Sequence, residues 1–149
     1  MAEVATTEDA NQDTVDPIAN VDIYWKTSAI ALAAVAILGI ALNLIGGNFA
    51  YTPNIAFMES VLVFDWTHNV VHVLLAGVAG AFGFGDFDAE LSANVAKVVG
   101  IVYIALGVVG FVPAVTDLLQ SLLGLGLEAG ENVIHLALGA WGTYAGFSA

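Results

Sequence analysis

Apolar residues in this chain come in long blocks, separated by short polar or glycine-rich stretches. Four blocks stand out, at 28–46, 66–84, 98–115 and 132–147, the first with nineteen uncharged residues in a row. At 1.5 Å per residue, a helix of about 20 residues crosses a hydrocarbon core of about 30 Å. None of the blocks alternates with the period of two that a barrel strand requires, and a bilayer admits only helices or closed barrels. The pattern predicts an all-α integral membrane fold with four transmembrane helices, the short fourth one extended upstream through Glu131. Residues 1–22, which hold Glu3, Glu8, Asp9, Asp13, Asp16 and Asp22, read as an acidic disordered tail, and 23–149 as the membrane domain. The tail has no basic start and is not a signal peptide. Before the second and fourth spans lie "TPNIAFMESVLVF" and "VPAVTDLLQSLLGLGL", each with a proline, a cap (Asn54, Thr116) and an apolar run. Each is a short interfacial helix or the first turns of a tilted span. Glycines 124, 126 and 130 favour a break in the second.

The polar positions inside the blocks recur. His72 and His135 lie 63 residues apart, and the same offset aligns Asn69 with Asn132, Val70 with Val133, Leu75 with Leu138, Asp65 with Glu128 and His68 with Glu131. An offset of 71 lays "KTSAIALAAVAILG" from Lys26 over "KVVGIVYIALGVVG" from Lys97. The chain therefore reads as a duplicated helical hairpin, repeat 1 at about 23–84 and repeat 2 at about 95–147. Two spans per unit make the copies parallel repeats about an axis along the membrane normal. The expected architecture is a four-helix bundle that brings the second and fourth spans to equivalent places.

The "HNVVH" span, the "GIVYIALGVVGFVP" span and the closing "ENVIHLALGAWG" resemble the bacterial and archaeal family catalogued as domain of unknown function 4383. Its members are small four-span membrane proteins with an N-x-x-H motif opening each even-numbered span. The resemblance runs from about Tyr24 to Phe147; His68, Asn69 and His72 fit the first motif, Asn132 and His135 the second. The first span departs most, with "GGNFAYTP" where the second copy has Gly-Phe-Val-Pro. The resemblance implies a fold and no activity.

Charge narrows the setting. The chain is 59% hydrophobic, with two lysines, no arginine, fourteen acids and a net charge of −12. No basic patch exists to neutralise phosphates, which excludes nucleic acid as a partner and leaves the lipid bilayer. So acidic a chain fits strong salt, where at about 1 M the Debye length falls to roughly 3 Å, and points to a halophilic, archaeal source. Lys26 and Lys97 both precede odd-numbered spans, so the positive-inside rule puts that side and both termini in the cytoplasm of a multi-pass cell-membrane protein. Tyr24, Trp25, Trp66 and Tyr144 are placed as interfacial anchors, and "GDFDAE" as a solvated turn. Glycine-rich spans suit a homo-oligomer or a subunit of a membrane complex. With no cysteine there is no disulfide or thiolate site.

On a helix Asp65, His68, Asn69 and His72 share a stripe, as do Glu128, Glu131, Asn132 and His135 if helix continues back through Gly130. The leading expectation is a polar cluster of His68, Asn69, His72, Glu131, Asn132 and His135 in the outer leaflet, without a cofactor. In it Asn69 bonds across the axis to His135 and Asn132 to His72. One alternative is b-type haem on His72 and His135, with glycines 77, 80, 83, 139, 142 and 146 giving room for the macrocycle. Another is a divalent metal held by Asp65, His68, His72, Glu128, Glu131 and His135. No Ser-His-Asp order, phosphate loop or nucleotide fingerprint appears, so no catalytic residue is assigned and an enzyme is not the expected reading.

Overall fold

The structure, a computed structural model, describes residues 20–46 and 64–149. The acidic tail up to residue 19 and the first outer segment up to residue 63 lie outside the described residues. Those described are all-helical: α1 (Val21–Gly46), α2 (Trp66–Phe84), α3 (Ala89–Val109), α4 (Pro113–Leu123) and α5 (Ala129–Ser148). Three of them, α1, α2 and α3, are long and apolar enough to cross a membrane, as in a multi-pass membrane protein. With 20 residues α5 is as long, but glycines, Glu131, Asn132, His135 and Thr143 make it less apolar.

Side-chain caps move the helix starts upstream of the apolar blocks. Asn20 Oδ1 accepts the backbone N–H groups of Asp22 and Ile23 at 2.9 and 3.2 Å, so α1 begins inside the expected tail. Asp88 Oδ1 accepts those of Glu90 and Leu91 at 2.9 and 3.2 Å, so α3 starts within "GDFDAE", not at 98. The second outer segment is a separate helix. Pro113 opens α4, and Gly124, at φ +65°, closes it in the left-handed conformation that glycine adopts without strain. Thr116, expected as the cap, lies inside α4 and donates Oγ1–H to the Pro113 carbonyl at 2.9 Å. The apolar stripe Val115, Leu118, Leu119 and Leu122 of α4 has no buried residue among the described residues.

The long helices pack as two pairs, α1 with α2 and α3 with α5. Each pair is drawn together by glycines at matching places. A methyl group on Gly39 would overlap Oδ1 of Asn69 in α2, and one on Gly110 would overlap Oδ1 of Asn132 in α5. At the other end a Cβ on Gly83 would come 2.8 Å from the Lys26 nitrogen, and one on Gly146 would come 2.8 Å from the Lys97 nitrogen. Gly139 meets Gly100 and Ile104 backbone, and Gly142 meets the Tyr24 ring. Gly83, Gly139 and Gly146 serve backbone approach and Gly142 makes room for a ring, while Gly77 and Gly80 face nothing within 4 Å among the described residues.

The pairs meet through a small core of Tyr24, Trp25, Ala29, Ala79, Ala96 and Ala145. Trp25 and Tyr24 are 1% and 2% exposed, so they are core residues and not the expected interfacial anchors. Trp25 stacks on Phe82 at 5.1 Å and donates Nε1–H to the Ser92 carbonyl of α3 at 3.3 Å. Tyr24 sets its ring on the edge of Trp141 at 5.4 Å. Alanines and Ser92 on the facing helices make the room. Trp66 and Tyr144 do face outward. So do large apolar side chains along all the long helices, among them Ile30, Ile37, Leu74, Ile101, Val108 and Val133.

The glycine contacts predict opposite signs for one substitution. Gly39→Ala and Gly110→Ala must push a buried asparagine aside and should each cost about 1–3 kcal/mol. Gly77→Ala and Gly80→Ala meet open space and should be neutral or gain up to about 1 kcal/mol of helix propensity. Thermal unfolding in detergent, followed by tryptophan fluorescence, reads the difference.

Candidate functional site

The polar residues gather where α2 and α5 begin. Asp65 is the N-cap of α2: its Oδ1 accepts the His68 backbone N–H at 2.8 Å. Its Oδ2 lies 3.2 Å from Nδ1 of the same histidine. Glu128 caps α5 in the equivalent position, and Glu131 Oε2 faces the Glu128 backbone N–H at 3.4 Å. His68 and Glu131 thus hold the same place, one turn into their helices, and they meet. Nε2 of His68 is 3.4 Å from Oε2 of Glu131, and each residue is 3% exposed. An imidazole flanked by a carboxylate on each ring nitrogen ties α2 of one pair to α5 of the other. Burying such a pair costs desolvation that can match its attraction, whereas removing one partner of a buried pair is destabilising.

The four long helices and the loop after α4 line a partly open cavity of about 350 Å³. That is within the range of small-molecule pockets, about 300–1,000 Å³. His68, His72 and His135 all line it, with Ser28 and Tyr103, and the remaining wall is apolar. Leu125 and Leu127 lie across it from the α4–α5 loop. The wall is built from pairs at the two offsets seen in the sequence. Ala31 and Val102, Leu32 and Tyr103, and Val35 and Leu106 are 71 apart; Val71 and Ile134, His72 and His135, and Leu75 and Leu138 are 63 apart.

His72 and His135 are half-buried. The His72 ring lies 6.0 Å from His68, and His135 meets the Tyr103 ring edge-on at 5.3 Å. Nδ1 of each is buried with no hydrogen-bond partner among the described residues. Asp65, His68 and Glu131 form one connected group, whereas Glu128 stays at the cap of α5. Among the described residues no three His, Asp or Glu side chains converge as metal ligands would.

The asparagines correct the expected cross-axis bonds. Asn69 and Asn132 are each 1% exposed and do not line the cavity. Their carboxamides lie on Gly39 and Gly110 of their own helix pairs, with neither Oδ1 nor Nδ2 bonded to another described residue. An oxygen set on a glycine Cα makes at most a weak Cα–H···O contact. Sequence reasoning missed this partner, although Gly39 and Gly110 were already aligned at the end of the first and third spans. It also missed Tyr103 and the two loop leucines as parts of the wall.

The ion pair predicts a coupled response. His68→Leu or Glu131→Leu alone breaks the buried contact, leaving Glu131 with the Glu128 N–H alone or His68 with Asp65 alone, and should cost about 3–5 kcal/mol. The double substitution should cost well below the sum of the single losses, with a coupling of roughly 1–3 kcal/mol in a thermal-unfolding cycle.

No protein family, curated protein or solved structure matches the chain.

Proposed function

We propose that this chain is a four-span membrane protein, a tandem pair of helical hairpins whose role is to hold a small, largely apolar molecule in the cavity between them. The single observation that carries the reading is the cavity itself: bordered by loop leucines, apolar in its walls and headed by histidines drawn from both helix pairs. A purely structural bundle has no need of such a space, since interiors close-pack and each unfilled void costs stability.

Duplication is supported by contacts as well as by letters. Gly39–Asn69 and Gly110–Asn132 are equivalent contacts, as are Gly83–Lys26 and Gly146–Lys97. Positions 68 and 131 touch, which is what a two-fold axis passing between them produces. In this reading α5 is the fourth span, its polar residues turned inward or towards the headgroups, and the histidine end lies in the outer leaflet. Lys26 and Lys97 mark the cytoplasmic end, and α4 lies along the outer interface with its leucine stripe in lipid. The likeness to the four-span family named above and a high-salt setting belong to the same proposal, the latter carried by the net charge of −12.

A second reading, haem between His72 and His135, is favoured by their sharing one cavity from different hairpins. Against it, a ligating histidine normally donates its other ring N–H to a partner, and neither Nδ1 has one among the described residues.

Mass spectrometry of solvent extracts from detergent-purified protein tests the proposal. A small apolar molecule should be recovered from the wild type. It should be lost from Leu75→Trp and Leu138→Trp, which fill the cavity, while their helicity is kept. A clean wild-type extract together with unchanged stability in both variants contradicts it. An absorption spectrum of the same sample decides haem: a Soret band that shifts on reduction and vanishes in His135→Ala would establish the second reading.

A further inference from the structure

This inference rests on the cavity being a ligand site and concerns what it recognises. His72 and His135 approach it from different hairpins at equivalent positions, each between the same apolar neighbours: Val71 and Leu75 in α2, Ile134 and Leu138 in α5. An occupant therefore meets the same polar group twice in a largely apolar wall, once from each hairpin.

The protonation of those rings follows from their surroundings. A neutral imidazole has one N–H donor and one bare nitrogen. Each Nδ1 is buried without a partner among the described residues, and a buried N–H without an acceptor is rarer and costlier than a bare lone pair. The proton therefore sits on Nε2, the nitrogen left to reach an occupant. Metal ligation through Nε2 would need the opposite tautomer, with an unpaired N–H on each Nδ1. His68 adds nothing free, since Asp65 and Glu131 flank both its nitrogens. No cation lines the wall to match an anionic ligand.

We propose that the cavity binds an uncharged, compact apolar molecule with two hydrogen-bond acceptors, one taken by His72 and one by His135. Ring 1,4-diones belong to this class. Tyr103, packed on His135 where the other hairpin has Leu32, makes the two positions unequal and gives the occupant a direction.

Three probes of matched size test this on the full chain in detergent: an alkyl-1,4-benzoquinone, an alkylphenyl monoketone and an alkylbenzene, with Kd from equilibrium dialysis. The dione should bind roughly three- to tenfold more tightly than the monoketone, and the monoketone more tightly than the hydrocarbon by a similar factor. His72→Phe and His135→Phe should each remove one such factor for the dione relative to alkylbenzene, and retained alkylbenzene binding reports that the variants are folded. His72→Gln, whose amide keeps a donor, should recover part of the loss. Equal affinity for dione and alkylbenzene in the wild type, or sensitivity to one histidine alone, overturns the two-acceptor site but leaves the cavity reading standing. Failure of all three probes to bind the wild type sinks both.

Discussion

Polar contacts tie one helix pair to the other at both ends of a small core, and much of the structure depends on them. Between apolar helices in lipid there is no hydrophobic drive, because hydrocarbon tails solvate leucine as well as leucine does. Within each pair, glycines let backbones touch along the whole length, and packing suffices. Between the pairs the contact is sparser: Trp25 on the Ser92 carbonyl at one end, His68 on Glu131 at the other. The cavity lies between these two ties. Close packing along the full interface would have erased it.

The histidine–glutamate contact has a particular logic. In a hairpin paired with its own copy, the residue on the axis faces itself, and two buried histidines or two buried glutamates repel. On the proposed duplication, a tandem chain escapes the constraint, because positions 68 and 131 can differ. Each keeps an acid three residues upstream, Asp65 or Glu128, at the cap of its helix. One further turn along, His72 and His135, aligned by the 63-residue offset, both line the cavity.

Much of this was legible in the sequence, for physical reasons that also mark where legibility stopped. Apolar blocks long enough to span a bilayer can hardly form anything but helices, so α1, α2 and α3 were readable; the start of α2 at Trp66 was too, but those of α1 and α3 were not. Charged residues such as Asp88 read as loop when they are in fact caps, and only the backbone N–H groups they accept reveal the difference. Aromatic residues near the end of a span read as an interfacial belt. Tyr24 and Trp25 instead turn inward, a matter of helix rotation decided by small residues on α3 and α5.

In the candidate site, the histidine stripe was legible because spacings of three and four share a face. The asparagines were not. Successive residues turn by roughly 100° around a helix, enough to carry Asn69 from beside His68 to the glycine of its neighbour. The cavity was invisible for a different reason, since it depends on how far apart two packed pairs stand. No local pattern encodes that distance.

The most direct test of the account exchanges the two axial residues. If positions 68 and 131 meet across a two-fold axis, with an acid upstream of each, then His68→Glu combined with Glu131→His rebuilds the same cluster in mirror order. The account predicts that each single substitution lowers the thermal unfolding midpoint in detergent, and that the double exchange returns it close to the wild-type value. A double exchange as unstable as the worse single substitution, or single substitutions without effect, would contradict it.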